Sequence, residues 1–194
     1  MRTAVVVLAG GTSRRWGGRD KTAALLAGQT VLEHVVSGLA DGAGVDLAAV
    51  VVVAPPDHLA RPQLPGVRWV REEPPGGGPV AGLAAAVAVL DVDLVVVGAG
   101  DAPFAGAAVP ALLDAVGQSF DGAIGVDAGG RDQPLLGAYR LAPLLAALPA
   151  EPAGARLRDL VAGLHLARVP VAARAALDLD TPADLATAER LLSS

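Results

Sequence analysis

The sequence contains no cysteine. That excludes disulfides, thiolate nucleophiles and cysteine-ligated zinc or iron–sulfur centres. Aromatic residues make up only 3% of the chain, too few for a surface that stacks bases. No run approaches the ~20 uninterrupted apolar residues that a membrane span needs. The opening MRTAVVVLAGG turns to glycine and charge too early for a secretory leader, so the expectation is a soluble, cytosolic protein. The histidines, His34, His58 and His165, are scattered without metal-ligand spacing. There are 15 basic residues against 20 acidic ones, a formal net charge of −5, which argues against a nucleic-acid partner. Lysine is nearly absent as well: every basic side chain is an arginine except Lys21. Any catalysis must come from carboxylates, Lys21, arginines, backbone amides or an oxygen-bound cation.

What is present is apolar and alternating. Hydrophobic residues are 53% of the 194, as in a packed globular chain, and a chain of this size buries roughly 70% of its unfolded surface. Apolar runs at 3–9, 48–54, 67–71, 93–99, 122–126, 135–140 and 176–180, the first five containing valine, read as strands. Several are continuously apolar, the pattern of strands covered on both faces of a parallel sheet. Between them lie helical patterns. Thr30 with Glu33 forms a capping box at the start of one. Pro79 opens a second at a first-turn position. VPALLDAV and ARLRDLVAGL carry helical apolar spacing, and Thr181, Pro182 and Asp184 begin the last helix. The alternation predicts a three-layer α/β/α architecture, Rossmann-like, with a mostly parallel sheet. Residues 121–140 read as a small hairpin added to it. The segments 55–66 and 72–79 read as ordered loops, so one domain is expected over 1–194.

Ligands of such sheets bind beyond the carboxyl ends of the strands, where LAGGTSRRWGGRDK (8–21) follows the first strand. Gly10 and Gly11 allow close backbone approach and positive φ. Their amides can cradle an anion, and Arg14, Arg15, Arg19 and Lys21 add positive charge. The loop suits a polyphosphate. It is neither a Walker A loop, because Asp20 precedes the lysine, nor a G-x-G-x-x-G fingerprint. By composition alone it also reads as an ordinary basic strand-to-helix loop. Asp101, in GAGDAPF after the fourth strand, reads either as a Mg²⁺ ligand or as a helix N-cap.

The order of residues in 8–21 resembles the L-A-G-G-x-S-x-R-M-G-x-D-K signature of nucleotidyltransferases with a glycosyltransferase-A-like fold. DAPF, EEPPGGGPVAGL (72–83), DAGGRDQPLLGAYR (127–140) and DLDTPADL (178–185) resemble further segments of the same proteins, most closely the molybdenum cofactor guanylyltransferase family. The resemblance implies a Mg²⁺-dependent enzyme that passes GMP from GTP to the phosphate of molybdopterin and releases pyrophosphate; separately, a monomer or weak homo-oligomer is expected. It implies that Leu8, Ala9, Gly10 and Gly11 contact base and phosphates, and that Arg15 and Lys21 hold the triphosphate. It makes Asp101 the metal ligand and puts Glu73 near the position that reads guanine, with Gly78 and Gly82 along the base. It leaves Asp178 and Asp180 as either further metal ligands or acceptor contacts, with Arg131 and Arg140 beside the acceptor or simply solvated on a hairpin. Trp16 departs from the usual Met or Leu. Glu73 and the two aspartates keep a cytidylyltransferase on the same cofactor open, as well as transfer to another small phosphate such as phospholactate or a sugar phosphate. A non-catalytic nucleotide-binding module fits less well, since Arg15, Lys21 and Asp101 are all retained.

Overall fold

Along the first strand, Val5 and Val7 enter one layer of apolar side chains and Val6 enters another. This is strand β1 (Thr3–Leu8) of a computed structural model that describes residues 1–11, 14–44, 47–58, 61 and 64–193 and, of Arg14, the main chain only. The strand alternates because successive side chains leave a pleated strand on opposite faces. Leu94 and Val96 against Val95 and Val97 repeat the split in β6 (Leu94–Ala99). Both faces are therefore covered, and the continuous valine runs are explained.

The main sheet has seven strands in the order β5-β4-β1-β6-β8-β7-β9. The additional strands are β4 (Leu47–Val53), β5 (Arg68–Val70), β7 (Gly122–Val126), β8 (Asp132–Arg140) and β9 (Leu166–Pro170). All neighbouring pairs are parallel except those that β8 makes with β6 and β7. Helices α1 (Val31–Ala43), α3 (Val109–Val116) and α6 (Pro182–Leu192) supply one apolar layer, and α2 (Pro79–Val87), α4 (Leu141–Ala147) and α5 (Leu157–Val161) supply the other. The three-layer α/β/α expectation is met. The hairpin over 121–140 is present too, but its second strand sits inside the sheet between β6 and β7.

The helix starts follow the local chemistry. The Thr30 hydroxyl accepts the Glu33 N–H at 3.2 Å, and Glu33 accepts the Thr30 N–H at 2.6 Å. Such a cap is worth about 1 kcal/mol. Helix α2 follows Gly78, whose φ of +88° suits glycine. In α4, Pro143 falls within the first turn, where a missing N–H costs little.

The strand assignments differ from the sequence expectation in three places. Residues 176–180 form no strand, because their backbone is engaged elsewhere: the Leu179 N–H donates to the Asp101 carbonyl at 2.9 Å, and the Leu179 carbonyl accepts from Trp16. The edge strand is β9 instead, half-exposed and ending at Pro170, with too weak an alternation to read in advance. The short hairpin β2 (Leu25–Leu26) and β3 (Gln29–Thr30) was also not expected; it turns through Ala27 and Gly28, both at positive φ. Among the described residues no helix is long and apolar enough to cross a membrane.

Register places the site. Leu8 at the end of β1 pairs with Val53 at the end of β4 and with Ala99 at the end of β6. The loops after these strands therefore leave the sheet side by side. Gly100 follows Ala99, and a Cβ there would lie 2.9 Å from Ala9 Cα, so only glycine allows the two loops this approach.

Candidate active site

These adjacent loops enclose a cleft of about 730 Å³. Leu8, Val53, Pro79 and Leu135 give it apolar walls, while Arg15, Lys21, Asp101 and Asp180 gather its charge. Leu135 reaches the cleft because β8 runs antiparallel to β6, with Leu136 paired to Gly98. An adjoining hollow of about 540 Å³ shares Gly76, Gly78, Pro79 and Leu135 and is edged by Arg156 and Arg158.

Lys21 opens a 3-10 turn, Lys21–Ala23, capped by Asp20. Its ammonium donates to Asp101 Oδ2 and lies 3.5 Å from Asp180 Oδ1. Arg15 Nη1 donates to Asp180 Oδ2 at 2.8 Å. Burial pulls the Lys21 pKa down, but the hydrogen bond and charge of Asp101, then Asp180, outweigh it and hold the pKa above the ordinary lysine value. Lys21 is thus a fixed cation. Asp178 shows the opposite: burial of its carboxyl, then the neighbouring Asp101 and Asp180 charges, push it up to about 6, with Lys21 opposing them. The residue as a whole keeps solvent access.

Among the described residues no three acidic or histidine side chains form a metal-ligand group by themselves. The donor chemistry still suits a hard cation that shares its shell with phosphate. Asp101 and Asp180 converge on one lysine, and their charge already opposes ionisation of Asp178. Mg²⁺ commonly takes one or two carboxylates plus phosphate oxygens.

The structure brings Leu8, Ala9, Gly10, Gly11, Arg15, Lys21, Gly78, Gly82, Asp101 and Asp180 together on this cleft. Four expected residues lie elsewhere. Glu73 is exposed and off the wall; its neighbour Glu72 lines the cleft, accepting the Gly76 N–H at 3.0 Å. Asp178 is not among the lining residues but is near enough to feel the charges of Asp101 and Asp180. Arg131 pairs with Asp127 at 3.1 Å on the hairpin and does not line the cleft. Arg140, at the far end of β8, donates to the Phe120 and Gly117 carbonyls. Gly10 and Gly11 are not at positive φ; Gly17 and Gly18 are. Gly10 faces Glu72, whose Oε1 lies 3.8 Å from where a Cβ would be, an ordinary contact distance. Thr12 and Ser13 of the signature and parts of the 55–66 loop lie outside the described residues.

Sequence reasoning passed over Glu72, Asp20, Thr22 and Leu135, all on the cleft. Glu72 carried a signal, being one residue from the expected carboxylate. Leu135 carried none, since only the antiparallel placement of β8 brings it there.

A cleft that sets two cations among four carboxylates at the carboxyl ends of β1 and β6, beside a glycine-rich loop, is the site of an α/β protein of the nucleotide-transferring class. The chain belongs to the MobA-like NTP transferase family, whose domain model matches residues 5–169, and is an enzyme of the nucleotidyltransferase class. It is 36% identical over 200 residues to a molybdenum cofactor guanylyltransferase of Cereibacter sphaeroides, covering 99% of this chain and 98% of that one. It is 33% identical to a probable molybdenum cofactor guanylyltransferase of Chloroflexus aggregans, covering 97% and 94%. In fold it is similar to molybdopterin-guanine dinucleotide biosynthesis protein A from Archaeoglobus fulgidus, with a TM-score of 0.72, 23% identity and 98% of each chain covered. It is equally similar to a 2-C-methyl-D-erythritol 4-phosphate cytidylyltransferase from Thermus thermophilus, with a TM-score of 0.71, 23% identity and 100% of each chain covered.

Proposed function

We propose that this enzyme transfers GMP from GTP to the terminal phosphate of molybdopterin. The observation that carries the transfer chemistry is the meeting of Lys21, Asp101 and Asp180 at the head of the cleft. The choice of acceptor rests on the full-length relatives, which carry the name molybdenum cofactor guanylyltransferase. An acceptor phosphate oxygen attacks the α-phosphorus in line. A new P–O–P link forms, the bond between the α-phosphorus and its bridging oxygen breaks, and pyrophosphate leaves with the electron pair. The nucleophile is already an anion, so no side chain has to remove a proton.

The protein positions the reactants and stabilises charge. Lys21 and Arg15 exchange their carboxylate partners for phosphate oxygens. Gly10 and Gly11 let the chain approach the triphosphate, and the base lies between Leu8 and the Gly78–Gly82 segment. Glu72 faces the base edge from the cleft wall, where a carboxylate can accept from the paired donors of guanine. Asp101 and Asp180 are the residues that would hold Mg²⁺, which supplies charge neutralisation on the phosphates.

The test is calorimetric titration with GTP, CTP, ATP and UTP, with and without Mg²⁺, followed by turnover with molybdopterin. Preference for GTP and release of pyrophosphate are expected. Preference for CTP makes the enzyme a cytidylyltransferase. Tight binding of GTP with turnover only on another phosphate changes the acceptor.

A further inference from the structure

The relay that ends at Lys21 begins on a different loop. His58 follows β4, and its side chain is only 3% exposed. Its Nε2 lies 2.8 Å from Thr22 Oγ1 and 3.3 Å from Asp20 Oδ2. Thr22 is itself buried. Asp20 Oδ1 accepts both the Thr22 N–H at 2.9 Å and the Thr22 hydroxyl at 2.7 Å. The hydroxyl has one proton to give. Since that proton goes to Asp20, the 2.8 Å contact requires His58 Nε2–H as donor. The order of donation is therefore His58 to Thr22 to Asp20, and Asp20 is the cap of the turn that opens with Lys21.

We infer that His58 is a positioning residue for Lys21: through Thr22 and Asp20 it fixes the turn that presents the ammonium to the cleft. It does not itself line the cleft. Its ring packs toward Trp69, with ring centroids 5.7 Å apart, so the turn is braced from the β4–β5 edge of the sheet. Lys21 has a long, flexible stem. A cation of that kind acts at a defined point only if its Cα is held. Without the donor, Thr22 and Asp20 keep their bond to each other but lose their anchor to the neighbouring loop.

This inference rests on the reading that Lys21 binds the triphosphate, and the experiment separates the two. Wild type, His58→Leu, His58→Gln and Lys21→Ala are titrated with inorganic tripolyphosphate plus Mg²⁺ and, separately, with guanosine. His58→Leu is expected to weaken tripolyphosphate binding about tenfold, the scale of a lost hydrogen bond in a charged network, and to leave guanosine binding unchanged. His58→Gln, which keeps an N–H donor, is expected to restore most of the loss. If Lys21→Ala binds tripolyphosphate like wild type, the role of Lys21 falls and the inference falls with it. If Lys21→Ala is weakened and His58→Leu is not, only the inference is overturned. Equal weakening toward both ligands, or no rescue by Gln, makes His58 a general structural residue and also overturns it. Should His58→Leu not fold, His58→Phe carries the same comparison, because it removes the donor and keeps a planar ring against Trp69.

Discussion

The Trp16 indole N–H donates to the Leu179 main-chain carbonyl at 3.2 Å. Through the same residue, the Leu179 N–H reaches the Asp101 carbonyl at 2.9 Å. One buried leucine thus ties the glycine-rich loop, the end of β6 and the 178–180 segment into a single unit. Arg15 and Asp180 repeat the tie with charge, at 2.8 Å. That ion pair is largely exposed and contributes little to stability by itself. The indole contact is partly buried and joins the core, so it is the stronger of the two.

Removing that N–H is therefore expected to loosen the site without unfolding the protein. Trp16→Phe keeps an aromatic ring in the core and deletes the donor. The KM for the nucleotide is expected to rise about fivefold, the scale of one hydrogen bond, with little change in melting temperature. Steady-state kinetics and a thermal melt check it. An unchanged KM would mean that the contact plays no part in holding the loop.

Lys21 is expected to be irreplaceable. Lys21→Ala removes the cation that faces both Asp101 and Asp180, and kcat/KM for nucleotide transfer is expected to fall at least ~10²-fold, as when a transition-state charge donor is lost. Lys21→Arg restores charge but brings a planar fork in place of a compact ammonium, so it is expected to recover only a small part. Near-wild-type turnover in either variant would remove Lys21 from the chemistry. A site that needs the compact ion also accounts for a lysine surviving in a chain that otherwise uses arginine.

The layers of the fold were legible because local signals agreed with tertiary need. The valine runs, the Thr30–Glu33 box and the prolines at helix starts each point to the element that forms. Of the candidate site, the glycine-rich loop and Asp101 were legible as neighbours on one cleft, because each follows the end of a valine-rich strand. What escaped depends on contacts between distant segments. Residues 176–180 alternate like a strand, but Asp101 and Trp16 take the backbone bonds of Leu179. Leu135 reaches the cleft only because β8 is inserted antiparallel beside β6. The choice between Glu72 and Glu73 depends on the path of the chain before Gly76, which no pattern of side chains records.

Asp101 is expected to set the metal requirement. Asp101→Asn keeps the shape and removes the charge. Outer-shell changes alone commonly cost 10- to 100-fold in metal affinity, so the Mg²⁺ concentration for half-maximal activity is expected to rise at least about tenfold. A Mg²⁺ titration of activity measures it. An unchanged midpoint would transfer the ligand role to Asp180 or Asp178.

Base choice separates the two glutamates. Glu72 lies on the cleft wall and Glu73 does not. Glu72→Gln is expected to lower the ratio of GTP to CTP turnover about tenfold, the order expected when a charge-assisted pair of hydrogen bonds is weakened, and Glu73→Gln is expected to leave it unchanged. The reverse pattern would return the base-reading role to Glu73.

His58 gives the protein a defined acid weakness. Burial lowers its pKa below the ordinary histidine value, and the Arg61 charge works in the same direction, while Asp20 and Asp57 oppose them without prevailing. The Trp69 ring, close to both His58 and Arg61, adds no titrating charge. The folded state therefore resists a proton that the unfolded chain accepts. With the unfolded chain binding more protons, stability rises with pH across this window. The contribution is complete above the unfolded histidine value, about 6.5, and is lost as pH falls from there toward the lower folded value. Denaturant unfolding at pH 7.5 and pH 5.5 is expected to show a loss of stability at the acid end in wild type and a smaller loss in His58→Gln, which carries no titrating ring. Equal losses in the two proteins would assign the acid sensitivity to the carboxylates and leave His58 without a part in it.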